Sequence, residues 1–226
     1  MTKPALIDLV NAALVKIGQD PIITLDNNKA LSPTVTMVRS TVDITKREIL
    51  RINDWNCARK TIKLTKLVNH KSSGWEYAYQ LPTDPECLRV VQISIDDGET
   101  YIDLDEYYNH NKGLAEHLFD IDGSTLLSNT DNIWIKYTAD IDAVNFDATL
   151  ASAFVAQLAA DLAYALPASV SLADYLTKIA RQKLKAARSA NARERNRLRP
   201  EGDVIGIRYG YGERQLRVDM SDELGE

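Results

Sequence analysis

The stretch 147-DATLASAFVAQLAADLAYALP-167 decides the fold class of this chain. Leu150, Phe154, Leu158 and Leu162 recur at four-residue steps with Ala151, Val155 and Ala159 beside them, which places one apolar edge on a helix. Asp147 stands where a side-chain oxygen caps the first free N–H groups, and Pro167 ends the run. So many alanines let another helix approach closely.

Downstream, Ser171 and Asp174 read as a capping-box start for a further helix. Leu172, Tyr175, Leu176, Ile179, Leu184 and Ala187 form its buried arc, with Lys178, Arg181, Lys185 and Arg188 as a stripe opposite. Run to about Arg197, it would be ~40 Å long at 1.5 Å per residue, more than the other helices need for a core. Upstream, Leu6, Leu9, Val10, Ala13, Leu14 and Ile17 mark a helix from about Pro4, stopped by Gly18. Ser32-Pro33 opens a second, with Val35, Val38, Val42, Ile49 and Ile52 as its stripe and Thr45 as the one break.

Between the helix pairs the apolar period changes from 3.6 to 2. Residues 61–65, 75–79, 88–95 and 133–137 read as strands, with Asp97-Gly98 and Asp122-Gly123 as hairpin turns and a short helix expected within Leu104 to His117. Beyond Pro200, Ile205, Ile207, Tyr209 and Tyr211 alternate with glycines, and Leu216, Val218 and Met220 alternate again. Such a segment is costly to order alone yet has the period of a strand that adds to a neighbour. The chain thus reads as α+β: an antiparallel helical bundle with an inserted β-rich module and an extended C-terminal arm. The expected boundaries are 1–56 and 144–199 for the bundle, 57–143 for the module and 200–226 for a flexible arm.

With 226 residues the chain can bury ~70 % of its unfolded surface, enough for a core without metal or disulfide. No unbroken apolar run approaches the ~18 residues that span a bilayer, so a chain made and kept in the cytoplasm is expected. Cys57 and Cys87 read as reduced core thiols, and His70, His110 and His117 are scattered, so neither a metal nor a cofactor is expected. No nucleophile elbow and no phosphate-binding glycine loop occurs. Asp96, Asp97, Glu99, Asp103, Asp105 and Glu106 admit paired acids for glycan hydrolysis, but such runs are far more often solvated hairpin edges. Asp120 to Asp131 starts like a calcium loop, with Thr125 where that loop demands glycine, so a hairpin is the better account.

Charge is strongly segregated. Lys178 to Arg199 holds nine basic residues against Glu194 alone, a net of +8, which leaves −13 for the rest of a chain whose net charge is −5. The stripe suits phosphates or an acidic protein surface, against the bland alternative of a solvated helix face. The added density of Arg193, Arg195, Arg197 and Arg199 tilts the balance to an interface.

The order of several segments resembles the tail tubular protein A family of short-tailed bacteriophages, the head-to-tail adaptors. They are Ala12–Ile22 (AALVKIGQDPI), Ile52–Asn56 running into Ala58-Arg59-Lys60, Tyr79–Ile93 (YQLPTDPECLRVVQI), Leu126–Ile141 (LLSNTDNIWIKYTADI) and the alanine-rich helices after Phe146-Asp147. The resemblance implies a structural, non-enzymatic virion protein. It would form a dodecameric ring beneath the portal protein, receive the tail nozzle protein below, and pass DNA through its lumen without sequence-specific binding. On that reading the portal or partner interface comprises Lys178, Arg181, Lys185, Arg188, Arg193, Arg195, Arg197, Ile205, Ile207, Tyr209, Tyr211, Leu216 and Val218. The entropy of ordering the arm, on the order of 1–2 kcal/mol per residue, would keep the free chain monomeric until a template offsets it. The acidic module would face the tail or the channel rim. The alternatives are a tail-associated glycan hydrolase using Asp103 and Asp105, and a DNA-binding module built on the basic helix.

Overall fold

A computed structural model describes residues 5–25, 32–68, 74–104 and 119–194. The protein is a mixed α and β chain with four α-helices and two antiparallel sheets among these residues. Arg195, Arg197, the arm residues Ile205, Ile207, Tyr209, Tyr211, Leu216 and Val218, and nearly all of the short helix expected within Leu104 to His117 lie outside the described residues.

Helix α1, Leu6–Lys16, ends as Gly18 predicted. Gly18 takes φ +73°, its N–H bonds Val15 O at 3.1 Å and the Gln19 N–H bonds Leu14 O at 3.0 Å, so orphan carbonyls of the last turn are filled. The chain then folds back on its own helix. Asn11 holds it, donating from Nδ2 to Ile22 O at 3.0 Å and accepting the Ile22 N–H at Oδ1 at 2.8 Å.

Helix α2, Pro33–Arg51, has Ser32 as its cap, with Oγ accepting from Val35 N. Two expectations for it fail. Ile52 is 44 % exposed: it is the C-cap, its N–H still on Glu48 O at 3.1 Å, and it lies beyond Ile49 and Leu50, the last buried residues of the helix. Thr45, 2 % exposed, is no break in the stripe: its hydroxyl donates to Asp161 Oδ2 at 2.7 Å, which makes it a satisfied core group.

Strands β1 (Arg59–Lys63), β2 (Thr65–Lys66), β3 (Tyr77–Gln80), β4 (Cys87–Ser94), β5 (Ile102–Asp103), β6 (Phe119–Asp122), β7 (Thr125–Ser128) and β8 (Trp134–Ala139) follow. They form two four-stranded sheets, ordered β1-β8-β4-β5 and β2-β3-β7-β6. Only Leu64 separates β1 from β2, so the chain steps from one sheet to the other across a single buried residue. β4 departs from strict alternation because its register against β8 shifts twice, between Cys87 and Arg89 and between Val90 and Gln92. Each shift adds an unpaired residue, and so Val90 and Val91 are both buried. Gly123-Ser124 closes the tight β6–β7 hairpin with Gly123 at φ +57°, the hairpin account of that segment.

Helix α3, Ala148–Ala165, is the stretch that opened the sequence reading, and α1, α2 and the last helix all pack against it. Among the described residues it alone is long and apolar enough by composition to cross a membrane. Eleven of its residues are buried within this chain, which is what a core helix requires. Asp147 Oδ1 caps it, accepting from Thr149 N and Leu150 N at 2.8 Å each. Three cations staple α2 to the strand region. Lys46 Nζ lies 2.7 Å from Asp140 Oδ1, Arg47 forks onto Glu86, and Arg51 donates to Leu88 O at 2.9 Å. One apolar cluster runs without a break from the helices into both sheets, through Leu14, Phe154, Trp55, Ile135 and Tyr79.

Both thiols are free and partly buried. Burial pushes Cys87 up to about 11 from 9.0, and it raises Cys57 as well. Thiolate is the reactive form. The folded protein at pH 8 is therefore expected to react with a thiol reagent about 100-fold more slowly at Cys87 than the unfolded chain does. Reaction of Cys87 at the unfolded rate would contradict this burial.

Candidate partner-docking surface

The last helix, α4, spans Val170–Arg193 and returns along α3 after a four-residue turn. Its cap is Ser169, whose Oγ accepts from Leu172 N at 3.3 Å, and not Ser171 as the sequence pattern suggested. Ala168 just before it takes φ +50°, the left-handed turn that lets the chain reverse so quickly that capping starts two residues early.

The buried seam of α4 is Ala173, Leu176, Ala180, Ala187 and Asn191, at three-, four- and seven-residue steps, and α4 packs chiefly on α3. Leu172, Ile179 and Leu184 flank it, half-buried. Tyr175, expected on this arc, is 61 % exposed: next to Leu176 in sequence, it lies about 100° round the helix from it and so outside the buried face. It joins Tyr164 and Val170 as exposed apolar residues around the α3–α4 turn.

Opposite the seam, Lys178, Arg181, Lys185, Arg188 and Arg193 are all exposed, on a strip that runs ~22 Å along the axis. The described ion pairs use Lys46, Arg47, Arg59, Lys63 and Lys66 as their cations, so no described carboxylate neutralises this strip. Helix α4 carries six basic residues and one acidic. Like charges at three- and four-residue spacing cost a helix ~0.2–0.5 kcal/mol per pair, and Lys178, Arg181, Lys185 and Arg188 are spaced in that way. The helix dipole compensates only near the C-terminal turn, by ~0.3–1 kcal/mol. Chemically the strip offers fixed positive charge with several bidentate donors, suited to a carboxylate- or phosphate-bearing surface.

What the sequence pattern missed is the anchor that fixes this strip. Asn191, 6 % exposed, donates from Nδ2 to Asp54 O at 2.8 Å and accepts the Asn56 N–H at Oδ1 at 2.8 Å. Asn56 returns a bond from its own Nδ2 to Asn191 O at 3.1 Å. The same loop is stiffened by Arg59, which forks onto Asp54 at 3.0 and 2.8 Å, and its guanidinium is lowered by burial from its ordinary value. The one visible signal was a lone Asn four residues beyond Ala187 on an otherwise apolar face.

Three of the carboxylates considered for glycan hydrolysis are held by local structure. Asp96 accepts from Ser94 Oγ at 2.6 Å and Thr100 N at 2.8 Å, which pulls it from 3.8 to about 2, opposite to the shift a general acid needs. Asp97 accepts from Lys63 Nζ at 3.1 Å and Trp134 Nε1 at 3.2 Å and is likewise lowered, first by the indole bond. Asp103 pairs with Gln92 Nε2 at 3.5 Å, while Asp105 and Glu106 lie outside the described residues. A depressed carboxylate stabilises the fold above its unfolded value, and that support disappears as pH falls through its folded value. The 94–100 hairpin is therefore expected to loosen between pH 3.8 and about 2, and Asp96→Asn to leave only the share of that dependence that Asp97 contributes in an acid titration followed by NMR. An unchanged titration in the variant would reject this assignment.

Among the described residues no cluster of three or more His, Cys, Asp and Glu side chains is placed to hold a metal ion. No protein-family model matches the chain, and a search of curated proteins finds no significant match.

Proposed function

We propose that this chain is a structural head-to-tail adaptor of a short-tailed phage, a virion protein whose copies form a ring under the portal and carry the tail nozzle. In this reading α1 to α4 are an antiparallel bundle, residues 57–143 are its inserted β-rich module, and residues 200–226 are an arm that orders on assembly. The portal and neighbouring copies are its protein partners, and DNA passes through the lumen.

One observation carries the reading: α4 presents five exposed cations opposite its buried face with no described counter-charge, and that buried face is anchored at its C-terminal end by Asn191. A rigid, self-repelling charged strip is poorly explained by stability, and it is what a docking surface needs. The ordered segments that resemble the adaptor family add to it, and the locally bound Asp96 and Asp97 give the hydrolase alternative no support.

Electron microscopy of the purified chain mixed with its portal tests the proposal. Rings stacked on the portal, with matching symmetry and an open axis, are the expected result. A chain that leaves the portal bare at every concentration and salt would overturn it.

A further inference from the structure

The adaptor reading leaves open what the basic strip of α4 touches. Within a single copy its charge is not neutralised by described residues, yet the chain as a whole is acidic, with a net charge of −5. The complementary surface is therefore present on every copy.

Strand β6 is the outer strand of its sheet and pairs only with β7 among the described residues. Asp120, Ile121 and Asp122 on it are all exposed. The described ion pairs use Asp43, Asp54, Glu86, Asp97, Asp131 and Asp140 as their anions, so neither Asp120 nor Asp122 has a described cation. Residues two apart on a strand share a face at ~6.8 Å spacing. Arg181 and Lys185, four apart on α4, are ~6 Å apart along its axis. The two charge repeats match in spacing and are opposite in sign.

We infer that the basic strip of α4 docks on the acidic β6 edge of a second copy of this chain. This rests on the adaptor reading and names the partner of that surface. The two patches differ, so the contact is head-to-tail, and such a contact closes into a ring when its rotation allows. Charge along β6 also guards that edge against indiscriminate strand pairing, so the same residues both prevent aggregation and select a partner.

Charge reversal decides the matter. Lys185→Glu/Arg188→Glu and Asp120→Lys/Asp122→Lys alter only exposed positions, and circular dichroism melts confirm that each variant folds. Sedimentation velocity over a concentration series is run at about 50 mM salt and again at about 500 mM, where screening shortens to a few ångströms. Self-association of the unaltered chain is expected to weaken at high salt. Each reversed variant alone is expected to weaken it at low salt by about tenfold or more. Mixing the two variants, or placing both reversals in one chain, is expected to restore it.

The cost of ordering the arm favours the free monomer at low concentration, so the series is carried up to the solubility limit. Association that ignores the reversals, or none in the unaltered chain at that limit and low salt, overturns the inference. So does a gel shift in which the α4 reversal abolishes duplex DNA binding while self-association is unchanged. Rings on the portal that tolerate both reversals would leave the adaptor reading standing and remove this one. Reversal-sensitive association without portal rings would do the opposite.

Discussion

Trp55→Ala is expected to lower the stability of the protein by about 3–5 kcal/mol, the range for removing a fully buried large aromatic. The ring is 0 % exposed and belongs to the cluster that joins helices and sheets, so its loss opens a cavity where the two packings meet. A second term adds to it. Trp55 Nε1 donates to Ile49 O at 2.8 Å, and Ile49 lies in the last turn of α2, where carbonyls have no partner within the helix. Truncation leaves that carbonyl buried and unpaired, at about 1–3 kcal/mol if no water reaches it. For a chain of this size each kcal/mol moves the midpoint by roughly 2–4 °C, so a fall of about 10 °C or more is expected in a thermal melt. Trp55→Phe keeps most of the volume and loses only the bond, and it should cost about 1–2 kcal/mol. Equal losses in the two variants would mean that the hydrogen bond, and not the packing, dominates.

The contrast between Trp55 and Asn191 shows what the sequence made legible. Periodicity located the four helices because each buries one stripe, and it found β1, β3, β4 and β8 because alternation is a local property. The two-residue β5 and the β6–β7 pair, which showed only as the Asp122-Gly123 turn, are too short or too polar to carry an alternation of their own. The caps at Ser32 and Asp147 were legible for the same reason: the bonded groups lie within three residues of each other. The cap of α4 was misplaced because the positive φ of Ala168 carries no residue-type signal, alanine being an uncommon choice there. Tyr175 was misassigned because periodicity fixes the face only within a residue or so, and the buried face centres on Ala173, Leu176, Ala180 and Ala187, which leaves position 175 at its outer margin. The cations of α4 were legible as a stripe. Their lack of counter-charge was not, because ion pairing depends on which distant loops come near. The double register shift in β4 was hidden for a similar reason, since a bulge is set by the partner strand.

Asn191 is the residue whose importance no local pattern gave, and its replacement is the most informative single change near the proposed surface. Asn191→Ala is expected to cost about 2–4 kcal/mol, because it removes the bond to the buried Asp54 carbonyl, at about 1–3 kcal/mol, and the bond from the partly buried Asn56 N–H, at about 0.5–1.5 kcal/mol. Asn56→Ala removes a returning bond of the same latch, so the two losses should be strongly non-additive in a double-mutant cycle. The effect should also be unevenly distributed along α4. Its N-terminal half is held by Ala173, Leu176 and Ala180 against α3, whereas its last turn reaches the 54–56 loop and is held there by the latch. Hydrogen exchange in Asn191→Ala should therefore accelerate first at residues 188–194, with the α3 amides protected until global unfolding. That region presents Arg188 and Arg193, so a latch mutant should weaken assembly more than its loss of global stability explains. Uniform acceleration along α4 would instead show that the helix behaves as one cooperative unit and that the latch contributes stability without positioning the charged strip.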